Sequence, residues 1–208
     1  MLQNINPDNL ISRTLNLEIG NSCKIKCPEC MRQFAPDVLK GTRPIPFEEL
    51  KVIFDTFPNV NFCGQMSDAI YHREFLQILD YIQPRGRYII STCGHGHSKE
   101  WWIQAFNLTK DKSVMWRFGL DGLPADSHKY RVGQDGESVW EMMKMGRSIG
   151  CQVEWQYIVF NYNQNDIETA RSMAAQHGMT FLLIHSNRFN KEHSTISLRP
   201  DEDHYVKN

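Results

Sequence analysis

The sequence contains no run of about 18 apolar residues, the length a helix needs to cross a bilayer. Residues Met1 to Leu10 have neither the basic stretch nor the apolar core of a secretory leader. No membrane partner is expected, and the chain reads as cytoplasmic. Surplus charge is also missing: 23 basic and 24 acidic residues leave a net charge of −1 over 208 residues. That balance gives no global electrostatic reason to expect nucleic acid or an anionic membrane surface as a partner. There is no internal repeat and no low-complexity segment. Cysteine is scarce, with 6 in the chain and none after Cys151. In a cytoplasmic protein, cysteines that cluster read better as a metal site than as a disulfide framework. What remains is ordinary for a globular chain, 41% hydrophobic and 23% charged. One domain over residues 1–208 is expected, with a core over about 14–188 and a polar tail over 189–208.

Half of the cysteines fall within eight residues. Cys23, Cys27 and Cys30 form a C-x3-C-x2-C run, and no further cysteine follows in the next 32 residues. A run of this spacing arises by chance about 0.005 times per chain of this composition. Three thiolates on one short loop can hold three corners of a cubane iron–sulfur cluster. One iron is then left without a local protein ligand, open to a small molecule. The same three thiolates could instead hold a structural zinc ion, with His95 or His97 as fourth ligand. Cys63, Cys93 and Cys151, at strand ends or starts, read as packing residues.

Strand and helix signals alternate along the chain. Leu15, Leu17 and Ile19 alternate with Asn16 and Glu18, a strand that runs into the cysteine loop. Pro46 to Phe57 reads as a helix with acids in its first turn. The pattern then predicts a strand over Val60–Gly64, a helix over His72–Ile82, a strand over Arg87–Cys93 and a helix over Ser98–Asn107. Further on come a strand over Val114–Asp121, a helix over Gly136–Gly150, a strand over Gln152–Phe160, a helix over Asp166–Gly178 and a strand over Thr180–His185. Such alternation implies an α/β fold with parallel strands. Six units are too few for a closed eight-fold barrel and suit a partial (β/α)6 barrel of the TIM type. Its functional rim lies at the C-terminal strand ends, where the cysteine loop falls.

The cysteine run in this setting resembles the radical S-adenosylmethionine (radical SAM) superfamily, over roughly residues 14–188. The resemblance implies a [4Fe–4S] cluster on Cys23, Cys27 and Cys30. S-adenosylmethionine binds the fourth iron, and one electron cleaves it to a 5′-deoxyadenosyl radical that abstracts hydrogen from a substrate. Further stretches are similar to the family's pattern. Gly64, Gln65 and Asp68 follow the second strand, where an acid takes the S-adenosylmethionine amino group; Asp68 resembles that acid, with Gln65 as the alternative polar contact. Ser91 and Thr92 end the third strand, near the ribose. Asp121 and Arg131 follow the fourth, where the arginine suits the methionyl carboxylate; Gly119 stands in place of the family's serine. Asn161 follows the fifth, where the family lines the adenine and ribose pocket. The pattern most resembles the peptide-modifying branch, without that branch's cysteine-rich C-terminal extension. Met31, Arg32 and Gln33 after Cys30 are unlike the 7-deazaguanine-forming members. The resemblance therefore implies a peptide, protein or small-molecule substrate and a flavodoxin- or ferredoxin-type electron donor. A nucleotide-modifying member, a cluster-binding member without catalysis and the zinc protein remain as alternatives.

Overall fold

The computed structural model describes residues 14–186, 189 and 196–204. Residues 1–13 and half of the expected polar tail, 190–195 and 205–208, lie outside them. Six strands form one parallel sheet in the order β1-β2-β3-β4-β5-β6. They are β1 (Leu15–Leu17), β2 (Asn59–Phe62), β3 (Arg87–Thr92), β4 (Val114–Gly119), β5 (Gln152–Ile158) and β6 (Thr180–Ile184). The helices are α1 (Met31–Phe34), α2 (Phe47–Thr56), α3 (Phe75–Tyr81), α4 (Lys99–Thr109), α5 (Gly136–Ile149) and α6 (Ile167–Gln176). The expected partial (β/α)6 barrel is present, open between β1 and β6.

Side-chain alternation decides which face of the sheet the helices cover. Val60, Phe62, Tyr88, Ile90, Trp116, Phe118, Val153, Trp155 and Tyr157 point outward and are buried in one core with the helices. Asn16, Asn61, Ser91, Arg117, Glu154 and Gln156 alternate with them, so the inner face is polar and only partly covered. Register aligns that face in rows: Asn16 lies opposite Asn61, and Ser91 opposite Arg117 and then Glu154. Strands β1 to β5 thus use an apolar set to hold the helices and leave a mostly polar set for the barrel interior, while β6, Thr-Phe-Leu-Leu-Ile, is apolar on both faces.

The outer layer is dense in aromatic rings. Trp102 of α4 is fully buried, with ring centroids of Phe106, Trp116 and Phe118 at 5.4, 5.6 and 5.5 Å. Ser98 caps α4 by accepting from the Trp101 amide, and Asp135 caps α5 by accepting from the Ser138 amide. Helix α5 ends at Gly150, whose φ of 108° is left-handed and suits glycine.

Boundaries differ from the sequence pattern where side chains compete for the backbone. The helix expected from His72 starts at Phe75. Before it, residues Ala69–Tyr71 form a 3-10 turn capped by the Asp68 carboxylate, and the His72 ring is held by the Ile45 carbonyl at 2.8 Å. Strand β4 stops at Gly119 rather than Asp121. The described part of the tail packs on the loop after β5: Asn161 N–H donates to the Leu198 carbonyl at 2.9 Å and Gln164 Nε2 to Asp201 at 2.7 Å.

Trp102→Ala should cost about 3–5 kcal/mol by leaving a cavity between α4 and the sheet. Urea unfolding measures it; a loss below about 1 kcal/mol would show that this layer is not close-packed.

Candidate active site

A cavity of about 260 Å³ opens at the C-terminal ends of the strands. Cys23, Cys27 and Cys30 all line it, with Gly64, Gln65, Asp68, Ser91, Thr92 and Arg131 from the sequence-predicted set. Asp121 and Asn161 do not. Asp121 is fully buried behind the wall, and Asn161 is exposed with its side chain donating to the Ser197 carbonyl at 2.7 Å. The resemblance put Asn161 at the adenine and ribose pocket; it does follow β5 but does not line this cavity, because its side chain is held by the Ser197 carbonyl.

The cysteine loop is pinned at several points. Ile25 and Glu29 within it are buried. Lys26 N–H donates to the Val132 carbonyl at 2.9 Å, Arg32 Nη1 to the Cys23 carbonyl at 2.9 Å, and Cys30 Sγ to the Gln65 carbonyl at 3.7 Å. Among the described residues, the one set of three potential metal-binding side chains with ligand atoms within 4.8 Å of one another is Cys23, Asp68 and Cys93. The three thiols of the run do not form such a set, since their sulfurs do not all lie within 4.8 Å of one another. A cubane, with one iron for each thiolate, takes more widely separated sulfurs than a single zinc with bonds of about 2.3 Å. His95 and His97 are also occupied: His95 Nδ1 accepts from the Asp135 amide, and His97 stacks on Trp101 with centroids 3.8 Å apart. Burial pushes the Cys27 thiol up to about 11, while a hydrogen bond with Cys93 lowers Cys23. The donor set and the cavity fit an iron–sulfur cluster on Cys23, Cys27 and Cys30.

Two carboxylates shape the rim without facing outward as free acids. Asp68 is 4% exposed, and its oxygens accept from Thr92 Oγ1 at 2.9 Å, Cys93 N–H at 2.7 Å and Ile70 N–H at 3.3 Å. Burial raises its carboxyl above the usual range, and these hydrogen bonds oppose the shift. Glu18, not anticipated from the sequence, accepts from the amides of Gln65, Met66 and Ser67 at 3.1, 3.1 and 3.0 Å. It moulds the loop after β2 into one wall of the cavity. Its place just after β1, alternating with Leu17 and Ile19, was the available signal.

Arg131 reaches the cavity beside β4. Its Nε lies 2.8 Å from Asp121 Oδ2, and the other Asp121 oxygen accepts from the Ile158 amide at 2.8 Å. Asp121 therefore positions Arg131 and ties it to the end of β5. Gly119 makes this possible: a Cβ at that position would collide with the Arg131 guanidinium. The glycine and the arginine are one arrangement. Deeper on the inner face, Arg117 pairs with Glu154, and Arg117 and Gln156 line the cavity floor. Nothing in the sequence pattern singled out that pair. Ser127 and Gln134 brace the rim from behind, with Gln134 Nε2 donating to the carbonyls of Cys93 and Gly119 at 2.6 and 2.9 Å.

No family model matches the chain, and no curated protein matches it by sequence. Solved structures do match it. SuiB of Streptococcus suis bound to S-adenosylmethionine is 12% identical, with a TM-score of 0.67 over 84% of this chain and 40% of that one. The enzyme anSMEcpe with bound AdoMet is 13% identical, with a TM-score of 0.62 over 86% of this chain and 51% of that one. Methylornithine synthase (PylB) is 15% identical, with a TM-score of 0.60 over 82% of this chain and 52% of that one. The chain has the partial-barrel fold of the radical SAM enzymes. It spans about two-fifths of the length of SuiB and about half of the other two.

Gly119→Ser, which would place the resembled family's residue on β4, should expel Arg131 and cost about 1–3 kcal/mol. In an Arg131→Ala background the same serine should cost under about 0.5 kcal/mol. Urea unfolding of the four proteins measures the cycle. Equal costs in both backgrounds would show that the two residues do not compete for the same space.

Proposed function

We propose that this chain is a radical SAM enzyme that acts on a peptide or protein segment, with a [4Fe–4S] cluster and S-adenosylmethionine as cofactors. The observation that carries the reading is that Cys23, Cys27 and Cys30 line one cavity at the C-terminal strand ends of a partial (β/α)6 barrel. The bound cluster supplies the electron that cleaves the sulfonium of S-adenosylmethionine and so starts hydrogen abstraction.

The chain's own residues bind and orient. Cys23, Cys27 and Cys30 would hold the cluster; the Cys27 thiol must lose a proton held to about 11, so assembly is favoured as pH rises. Arg131, fixed by Asp121, would take the methionyl carboxylate with its remaining guanidinium donors. Gln65, exposed on the cavity wall, is favoured over Asp68 for the amino group, because Asp68 already accepts three protein hydrogen bonds. Gly64 would let the cofactor approach the backbone, and Ser91 would contact the ribose. Thr92 serves by bracing: its hydroxyl donates to Asp68 and accepts from the Gly94 amide.

The cavity shares Glu29, Gln65, Tyr130, Gln156 and Ile158 with a neighbouring groove of about 460 Å³ between the ends of β5 and β6. Phe160 and Phe189 form its apolar side. A groove with an aromatic wall and amide side chains suits an extended peptide residue. SuiB, of the same fold, is known bound to its precursor peptide SuiA. No helix among the described residues is long and apolar enough to cross a membrane. A cytoplasmic setting and a flavodoxin- or ferredoxin-type electron donor complete the proposal.

Anaerobic reconstitution tests it. Wild-type protein should take up about four irons per chain, with matching sulfide, and release 5′-deoxyadenosine from S-adenosylmethionine when reduced. Alanine at Cys23, Cys27 or Cys30 should abolish both. Protein that retains zinc, takes up no sulfide and forms no 5′-deoxyadenosine would establish the structural-metal alternative.

A further inference from the structure

A fourth thiol lies beside the cysteine run. Cys93 follows β3 and is 4% exposed. Its Sγ is within 4.8 Å of both Cys23 Sγ and an Asp68 carboxylate oxygen. Its place at a strand end, 63 residues beyond the run, gave it a packing role in the sequence. The fold brings it there because β3 is the second neighbour of β1 in the sheet.

Its position is over-determined. The Cys93 amide donates to Asp68 Oδ2 at 2.7 Å, and its carbonyl accepts from Gln134 Nε2 at 2.6 Å. Its sulfur meets Tyr71 Oη at 3.5 Å. The Tyr71 hydroxyl donates its proton to the His95 carbonyl at 2.5 Å, so it has none to give the thiol. The S–H of Cys93 is therefore available to donate. Its acceptors are Tyr71 Oη, the Asp68 carboxylate and Cys23 Sγ. Asp68 already takes three hydrogen bonds from Thr92, Cys93 and Ile70. Only Cys23 gains acceptor strength when iron is bound, since it then becomes a thiolate on an anionic cluster. Hydrogen bonds to ligand sulfurs stabilise the reduced, more negative cluster and raise its potential.

We infer that Cys93 is a positioning residue that donates its S–H to the Cys23 thiolate and so eases reduction of the cluster without binding iron itself. This inference rests on the proposed cluster at Cys23, Cys27 and Cys30. Cys93 acts through a ligand and is held by Asp68, Gln134 and Tyr71.

The test compares reconstituted wild type, Cys93→Ala and Cys93→Ser by iron content and by a redox titration followed by the paramagnetic signal of the reduced cluster. Iron content should be the same in all three. The midpoint potential should move to more negative values in Cys93→Ala and stay near wild type in Cys93→Ser, whose hydroxyl still donates. Cys93→Val, which fills the space without a donor, replaces the alanine variant if that one is insoluble, and should shift the same way. An unchanged potential in the alanine and valine variants overturns the inference. So does an equal shift in alanine and serine, which would mark a packing effect, or a loss of iron, which would make Cys93 a ligand. A wild-type protein that assembles no cluster would instead overturn the functional reading on which this one stands.

Discussion

The pleat of six parallel strands is the constraint on which the rest of the molecule depends. Alternate residues must face opposite sides, so an apolar outer set and a polar inner set cannot be exchanged without losing the core. Trp116, Trp155 and Tyr157 commit β4 and β5 to the helix layer, and this leaves Arg117, Glu154 and Gln156 inside. Because all strands run the same way, their C-terminal ends meet at one rim. The cysteine loop after β1 and the turns after β2, β3 and β4 therefore converge, though they are far apart in sequence.

Convergence alone would leave a rim of mobile loops, and buried polar side chains prevent that. Asp68 joins the end of β2 to the end of β3, Glu18 holds the loop after β2 from beneath, and Gln134 links β3 to β4. Each satisfies backbone amides or carbonyls that the ending strands leave unpaired. Arginine charge inside the barrel is likewise matched: Arg131 faces Asp121 and Arg117 faces Glu154. A buried charge without a partner is strongly unfavourable, so the pairing sets where a zwitterion such as the methionine end of S-adenosylmethionine could be received. Under the proposed function, the arginines contribute geometry as much as charge.

The element order was legible in the sequence because the apolar periods are strong and the stops are glycines or turns. Strands β3 to β6 and helices α4 to α6 fall within a few residues of their patterns. Element starts shifted where a side chain outbid the helix, as Asp68 and His72 did ahead of α3. The cysteine run was legible because its spacing is local. Roles that depend on contacts between distant strands were not. Asn161, read as a pocket residue, is tied to the Ser197 carbonyl instead; Asp68 lines the cavity as expected, but with Thr92, Cys93 and Ile70 on its oxygens; and Cys93 is buried as expected, but beside Cys23 and Asp68. The Gly119–Arg131 pairing was hidden for the same reason: a missing side chain carries no signal until the side chain that fills its space is known.

The central claim is that the site holds a cluster with one iron open to S-adenosylmethionine. The most direct measurement is electron–nuclear double resonance on the reduced, reconstituted protein, with S-adenosylmethionine carrying magnetic isotopes at its amino nitrogen and carboxylate oxygens. A cofactor bound through both groups to the open iron should give hyperfine couplings from both labels, and Arg131→Ala should weaken the carboxylate signal at limiting cofactor. A fully loaded cluster that shows no coupling to either label at saturating S-adenosylmethionine would contradict the proposed function.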